Sequence, residues 1–561
     1  MRNAPAPALA LLILLTHGVT YAQFSETVEV RVTNVDVIVT DKAGKPVPGL
    51  TKDDFEIYEN GTRQEITNFA EIGESVPSGT LTALPGETPA EEPAARDIRR
   101  RLISVFIDNA SLEVGHRAAV LEHLQQFLAK NVRPGDGIAI YAWGLGLEVQ
   151  LEPTSDPDQI AAAIDKLAEH TTVSHSWRQQ FYNTIDSIIA SAKNSYPPRT
   201  PDFGEALAAA ETAARNSTHD MRRKTAAIKS VIASLRGIEG RKVLVMLTES
   251  LSTNPAEEAF HHLETIRHEF VGAQHFNPFS AARPHMLQNL SGEIARAANT
   301  AGVTIYPIHA AGKWADSTFT DASVGVTVRG APTVHTDTST QTLHAVAEDT
   351  GGRAAVGSSD FQFAFDAISN DLNVYYSLGY RTSGERKDRL KKVEVKLKKK
   401  GYVVRSRNAI IEQTATTEMN DMVAANLFQA GSTNDLNIQA RILGTATPAG
   451  ENLVHPLTIV IPTSTLTLIP DGTDVIGKFS VFTAFLRGDG AVSAVGRQTQ
   501  EFRWPAESLA RRKQVTVKLD VTADSRVSAI SVGVMDDASS ATGFALVKLA
   551  TATDDTQGST E

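Results

Sequence analysis

The chain has 561 residues, 65 acidic against 54 basic side chains for a formal net charge of −11, and no cysteine. At about 150 residues per domain this length predicts three or four domains, and 42% apolar residues supply several cores, which excludes a wholly disordered chain. The missing thiols exclude disulfides, zinc–thiolate sites, iron–sulfur clusters and cysteine nucleophiles, and the acidic balance lacks the basic footprint of a nucleic-acid binder.

Residues 1–22 read as a secretory signal. Arg2 supplies the positive end, Ala8 to Leu15 an unbroken apolar run, and Ala22 the small residue before an expected mature start at Gln23. A run of eight apolar residues falls short of the ~20 needed to span a bilayer. The expectation is an exported protein, periplasmic or extracellular, with no transmembrane segment after cleavage.

Residues 24–73 read as β. Val28, Val30 and Val32 share a face; after Asn34 the phase changes and Val35, Val37 and Val39 take over, as a bulge allows. Asn60-Gly61 predicts a hairpin. Residues 74–97, rich in Pro, Glu, Ala and Thr, read as a linker. From Arg101 strands and helices alternate. Strands are expected at 102–108, 138–143, 147–152, 242–248 and 303–309, and helices at 114–131, 158–169, 204–215, 221–235, 290–300, 341–349 and 361–372. Continuously apolar strands alternating with helices predict an α/β domain over 100–373, a parallel sheet covered on both faces.

After Asn373 the pattern returns to β, at 375–380 and 391–407, with Val393, Val395 and Leu397 on one face. The segments 24–73 and 374–412 each hold too few strands to stand alone. They are expected to pair as one β domain with the α/β domain inserted between them. Residues 413–434 read as a linker containing a helix near 418–428. Short strands between turn signals over 435–552 predict an Ig-like β-sandwich, and the polar tail 553–561 is expected to be disordered.

Four stretches carry a resemblance: VIVTDKAGKPVPGLTKDDFEIYENGTRQEITNF; LISVFIDNASLE with GDGIAIYAW and LEPTSD; RKVLVMLTES; and VAEDTGGRA with YYSLGY and KKVEVKLKKKGYVVRSR. In order and spacing they resemble the VWFA-related domain proteins best known from Acidobacteria, over residues 24–412. The resemblance implies a von Willebrand factor type A domain, a doubly wound α/β fold, and binding of a protein or envelope partner rather than catalysis.

It also implies a divalent-cation site: an Asp-x-Ser-x-Ser loop after the first strand, a Thr from a second loop and an Asp after a later strand. A hard ion such as Mg²⁺ takes six oxygens near octahedral geometry. Here the first loop reads Asp108-Asn109-Ala110-Ser111-Leu112. The acid matches, but Ala110 and Leu112 offer no oxygen. Thr200 is the best match to the second loop, and Glu249 stands where the last acid is expected. The expectation is a degenerate site of Asp108, Ser111, Thr200 and Glu249 with no cofactor. Mg²⁺ or Mn²⁺ is the alternative. Equally, Asp108 and Glu249 read as strand-end acids that accept from nearby backbone N–H groups.

Ligands of open α/β sheets sit beyond the carboxyl ends of the strands. Three insertions reach that edge: His170 to Pro201, Leu251 to Gln288, and Ala311 to Thr340. Their aromatics Trp177, Phe181, Tyr182, Phe270, Phe276 and Trp314 are candidate partner contacts; the other reading is that they pin the insertions to the body. Several motifs are set aside. GTDVIGKF (472–479) lacks the Ser/Thr and helix of a P-loop. Arg487-Gly488-Asp489 reads as a hairpin tip. His261, His262, His268 and His275 fit a solvated helix better than a zinc motif. The eleven basic residues from Arg386 to Arg407 read as the wet face of a strand. The leading reading is an exported, non-enzymatic binding protein. One alternative is a metal-dependent adhesion module using Asp108 and Glu249, the other an envelope hydrolase using these acids and the insertion histidines.

Overall fold

A computed structural model describes residues 31–73, 101–169, 176–236, 238, 240–311, 319–321, 326–328, 332–358, 360–382, 388–427, 434–450, 452–487, 492–524 and 526–549. The expected signal segment, the linker 74–97, Trp314, most of the Arg-Gly-Asp tripeptide and the tail 553–561 lie outside these residues.

Four strands and a hairpin turn open the described chain: β1 (Arg31–Thr40), β2 (Phe55–Glu59), β3 (Thr62–Gln64) and β4 (Ile66–Ile72). Asn60 and Gly61 join β2 to β3 with φ of 49° and 82°, the left-handed pair that matches strand twist in a two-residue turn. The central region follows. It runs β5 (Arg101–Asp108), α1 (Val114–Asn131), β6 (Gly137–Trp143), β7 (Leu147–Thr154), α2 (Pro157–Glu169), α3 (Ser176–Lys193), α4 (Phe203–Ser234), β8 (Arg241–Thr248), α5 (Glu257–Ile266), α6 (Pro278–Ala282), α7 (Leu290–Ala301) and β9 (Val303–His309). A short hairpin, β10 (Phe319–Asp321) and β11 (Val326–Val328), leads to α8 (Pro332–Thr350) and α9 (Phe361–Asn373).

The central sheet has the order β7-β6-β5-β8-β9, parallel except for the antiparallel edge strand β7. Alternation along each strand decides which layer a side chain enters. Ile103, Val105, Ile107, Val243, Val245 and Leu247 pack against α1, α2 and α9. Leu102, Phe106, Leu244 and Met246 pack against α4, α7 and α8. With helices on both faces the strands read as continuous apolar runs, and the sheet is doubly wound. In this order the chain winds outward one way from β5, then returns to start again at β8. The crevice between β5 and β8 is the topological switch point.

Beyond this sheet lie β12 (Tyr375–Thr382), β13 (Arg389–Leu397), β14 (Val403–Ser406) and β15 (Ala409–Glu412). They pair with the strands that precede it, in the orders β14-β1-β12-β4 and β15-β13-β2-β3, all antiparallel. One core holds both segments: Val35, Val37, Val39, Phe55 and Ile57 pack with Tyr376, Leu378, Tyr380 and Val393. The single strand expected over 391–407 breaks at Gly401 (φ 93°), and its halves enter different sheets.

The last region begins with α10 (Ala415–Asn426). Its strands are β16 (Gln439–Ile442), β17 (Thr447–Ala449), β18 (Asn452–Pro462), β19 (Leu468–Asp471), β20 (Asp474–Arg487), β21 (Gly496–Pro505), β22 (Gln514–Asp524), β23 (Val527–Asp536) and β24 (Thr542–Lys548). Two antiparallel sheets, one around β18 and one around β20 and β23, share a core that includes Leu457, Ile459, Phe479, Val481, Ile530 and Val532. Met419, Met422 and Val423 of α10 cover the far face of the second sheet. GTDVIGKF falls on the β19–β20 hairpin, where no helix N-terminus exists to cradle a phosphate.

Two expectations are corrected. The helices expected at 204–215 and 221–235 are one helix of 32 residues, α4. The polar stretch that read as a break runs through because Ser217 and Thr218 turn inward, Ser217 Oγ donating to the Ala214 carbonyl oxygen (3.1 Å). The insertions read as long loops contain helices: α3, α5 and α6 pack on the first half of α4 around Phe181, Phe203, Ala210, Phe260 and Phe270.

Candidate functional site

The carboxyl end of the central sheet is where β5 delivers Asp108 and β8 delivers Thr248 and Glu249, on either side of the switch point. Asp108 is completely buried. Its Oδ2 accepts from Ser111 Oγ (2.6 Å) and Thr248 Oγ1 (2.6 Å), and lies 2.6 Å from the ammonium of Lys224. Lys224 Nζ also donates to the Ser250 carbonyl oxygen at 2.8 Å. Ser111 Oγ in turn accepts from the Glu249 N–H (3.0 Å). A buried carboxylate is tolerable only when paired and hydrogen-bonded; here an internal lysine supplies the countercharge and two hydroxyls the hydrogen bonds.

Sequence reasoning missed Lys224. The signal was present: Met221, Lys224, Ile228 and Val231 are spaced three, four and three apart, and all four are buried. A lysine on the apolar stripe of a helix is the mark of a buried partner.

The four proposed ion ligands part company. Asp108 and Ser111 are in contact, as above. Glu249 turns away: its Oε1 accepts from the Glu113 N–H (3.1 Å) and lies 3.1 Å from His116 Nδ1. Thr200 is far off. It is exposed and sits just before α4, whereas Lys224 lies 21 residues into that helix, about 32 Å along its axis at ~1.5 Å per residue. Because Lys224 touches Asp108, Thr200 cannot reach it, and its place as a ligand is corrected. The misreading came from treating 200–215 as a loop and short helix beside the rim, when the helix stands well beyond it.

That helix makes the first half of α4 an arm projecting past the rim, with α3, α5 and α6 packed along it. The candidate contact residues Trp177, Phe181, Tyr182, Phe270 and Phe276 fall on this arm. Phe181 and Phe270 are buried, 3% and 7% exposed, so the expectation that they meet a partner is corrected: their rings fill the arm's own core. Trp177, Tyr182 and Phe276 pack partly buried against the same core, with Phe276 4.9 Å from Phe203. Tyr182 OH donates to Glu258 Oε1 (3.2 Å), and the Arg178 Nε and Nη2 groups both bond that carboxylate. Burial, then the nearby Glu258 charge, push the Tyr182 phenol well above its ordinary range. The side chains left bare are others: Tyr196 is fully exposed, Val271 49% and Phe279 63%. The Pro201 carbonyl oxygen accepts from the Val271 N–H (3.0 Å), which sets Val271 beside the turn carrying Tyr196.

Around the rim Glu113, His116 and Glu249 form the one cluster of three such ligand groups among the described residues, with one candidate atom of each within 4.8 Å of the others. The hydrogen bond that His116 gives to the Glu249 carboxylate holds the His116 pKa above its ordinary value, against partial burial. His309, at the end of β9, is 2% exposed and places Nε2 3.2 Å from the Glu249 carbonyl oxygen; burial lowers its pKa. Of the insertion histidines, His261 lies 3.5 Å from Glu257 and His262 packs edge-on to Tyr182. The histidine that reaches the Glu249 carboxylate therefore belongs to α1, not to the insertion. No hydrogen bond between Ser111 Oγ and a histidine is found among the described residues.

No family model and no curated protein matches this chain. Solved structures that do include proximal thread matrix protein 1 of the mussel byssus, at 11% identity over 49% of this chain and 46% of that one, with a TM-score of 0.20. An aerotolerance-related membrane protein of Bacteroides fragilis matches at 12% identity over 49% and 98%, TM-score 0.22. The manganese-loaded TRAP protein of Plasmodium vivax matches at 9% identity over 56% and 94%, TM-score 0.21. The match spans about half the length of the mussel protein. TM-scores this low carry no weight, and the fold rests on strand order and helix placement. No described helix is long and apolar enough to cross a membrane.

Proposed function

We propose that this chain is an exported, non-enzymatic docking module of the von Willebrand factor A type, as the sequence resemblance implies. Its partner, a protein or envelope component, meets the carboxyl rim of the central sheet and the helical arm above it. The paired strands 31–72 and 375–412 form the frame from which the α/β domain projects, and the Ig-like C-terminal sheets act as a spacer. The observation that carries this reading is the switch point. Asp108 and Thr248 flank the crevice where open α/β sheets take ligands, and a projecting arm beside it bears a bare tyrosine. The hydrolase alternative has less support: Ser111 is committed to Asp108 and Thr248, and the insertion histidines His261 and His262 engage Glu257 and Tyr182 within the arm.

The test is site-specific photocrosslinking in the native envelope. A photoreactive residue replaces Tyr196 on the arm or Leu145 at the rim, where Leu145 is 74% exposed; Ile469 in the C-terminal sheets, 55% exposed, is the control. The expected result is one discrete adduct from Tyr196 or Leu145 and none from Ile469. Adducts only from Ile469, or none at the rim and arm, would remove the reading.

A further inference from the structure

We propose that the Lys224 ammonium permanently replaces the divalent cation implied for rims of this type, making the site closed and metal-independent. Its functional meaning rests on the docking reading above; its chemistry does not.

The residues present do not fit a divalent ion. Mg²⁺ stands about 2.0–2.1 Å from its oxygens and demands six of them. To bond Asp108 Oδ2 it would have to enter the space held by Lys224 Nζ, 2.6 Å from that oxygen; Asp108 Oδ1 is buried without a hydrogen-bond partner among the described residues, but a single open oxygen falls far short of an octahedral shell. Ser111 Oγ and Thr248 Oγ1 donate to the same Oδ2 and each already accepts a backbone N–H, from Glu249 (3.0 Å) and Ser250 (3.1 Å), which leaves each at most one lone pair for an ion. Ala110 and Leu112 bring no oxygen, Thr200 lies at the far end of α4, and Glu249 is turned to Glu113 and His116. One carboxylate is balanced by one ammonium, so a doubly charged ion beside Lys224 would face uncompensated repulsion.

The ammonium satisfies the needs the ion would have met. It carries positive charge to Asp108 and bridges the first strand's loop to the loop after β8 through the Ser250 carbonyl oxygen. It is tethered to a helix whose neighbouring residues Met221, Ile228 and Val231 are locked in the core. Removing the tether should uncover what it covers: Asp108, Ser111, Thr248 and the Ser250 carbonyl oxygen would then face a space that waters and a cation can share.

The test measures Mn²⁺ binding by the full chain, using calorimetry and the electron paramagnetic resonance signal of free Mn²⁺. Wild type and the charge-neutral double variant Asp108→Asn/Lys224→Met should give the same isotherm. Lys224→Ser should bind at least tenfold tighter than wild type, lose that gain when Asp108→Asn is added, and show a Mn²⁺-dependent rise in melting temperature that wild type lacks. A saturable wild-type site lost in the double variant would overturn the proposal. So would a folded Lys224→Ser that binds no tighter than wild type. If Lys224→Ser does not fold, the comparison of wild type with the double variant decides alone. None of these readouts needs a partner, so failed crosslinking leaves them standing and their failure leaves the crosslinks standing.

Discussion

At the carboxyl end of the central sheet, Asp108 and Lys224 meet across the switch point, each fixed by further hydrogen bonds. At the amino end two arginines lie side by side, Arg101 opposite Arg241 in the register of β5 and β8, each 3% exposed. Arg101 bonds both oxygens of Asp136 (3.0 and 2.5 Å) and the Asn131 carbonyl oxygen. Among the described residues Arg241 has no carboxylate within hydrogen-bonding distance. Its guanidinium lies 3.9 Å over the Tyr375 ring, and Nη2 reaches the Tyr306 hydroxyl at 3.5 Å. Burial pushes the Tyr375 phenol up to about 12, so the ring beneath Arg241 stays neutral. The sheet thus uses two solutions, matched ion pairs at Asp108–Lys224 and Arg101–Asp136 and, at Arg241, a cation spread over aromatic faces. In the first each charge depends on its mate. In the second the rings shelter the charge, and the Asp36 and Asp371 carboxylates favour it without touching it.

Substitutions can break this contrast. The largest effect is expected at the rim. Lys224→Met should cost about 3–5 kcal/mol, because it leaves a fully buried carboxylate uncompensated. The double variant with Asp108→Asn should recover most of that loss, and denaturant unfolding of both measures the coupling. Arg101→Met should behave similarly, at about 3–5 kcal/mol, since it orphans the buried Asp136. Arg241→Met should cost no more than about 2 kcal/mol, because lost stacking is offset by relief of desolvation. A loss as large as at Arg101 would mean that Arg241 has a counterion after all.

Acid sharpens the comparison more gently. His262, His285 and His309 have pKa values lowered chiefly by burial. Their neutral forms are favoured on folding, so their contribution is full above the unfolded value near 6.5 and is lost as pH falls through the lower folded values. His116 has the opposite sign: its raised pKa stabilises below the unfolded value, and that contribution fades as pH rises through the folded one. Urea midpoints should therefore fall between pH 7.5 and 5.5, and fall further in His116→Ala. At pH 7.5 the same variant should change stability by less than about 1 kcal/mol, because the pair is part-exposed.

Much of the scaffold was legible in the chain. The run LISVFID could only be a strand covered on both faces, and the structure sends Ile103, Val105 and Ile107 to one layer and Leu102 and Phe106 to the other. Two β segments too short to stand alone implied each other, and β1 lies between β12 and β14. The site was legible only in part. The loss of oxygens at Ala110 and Leu112 was visible, but not what took their place. Lys224 is 116 positions from Asp108 in the chain, and no local pattern links them. The aromatics of the arm misled for a related reason: composition gives the ring, while burial depends on which helices close around it.

The sequence by itself determined the strands, the alternation of layers, and the loss of hydroxyls at positions 110 and 112, because periodicity and residue chemistry are local properties. Only the tertiary structure decided that residues 203–234 form one helix, that Phe181 and Phe270 point inward, and that an ammonium from that helix arrives beside a strand-end carboxylate. Those outcomes depend on which surfaces meet when the chain closes, where a buried charge must find its partner in space rather than in sequence.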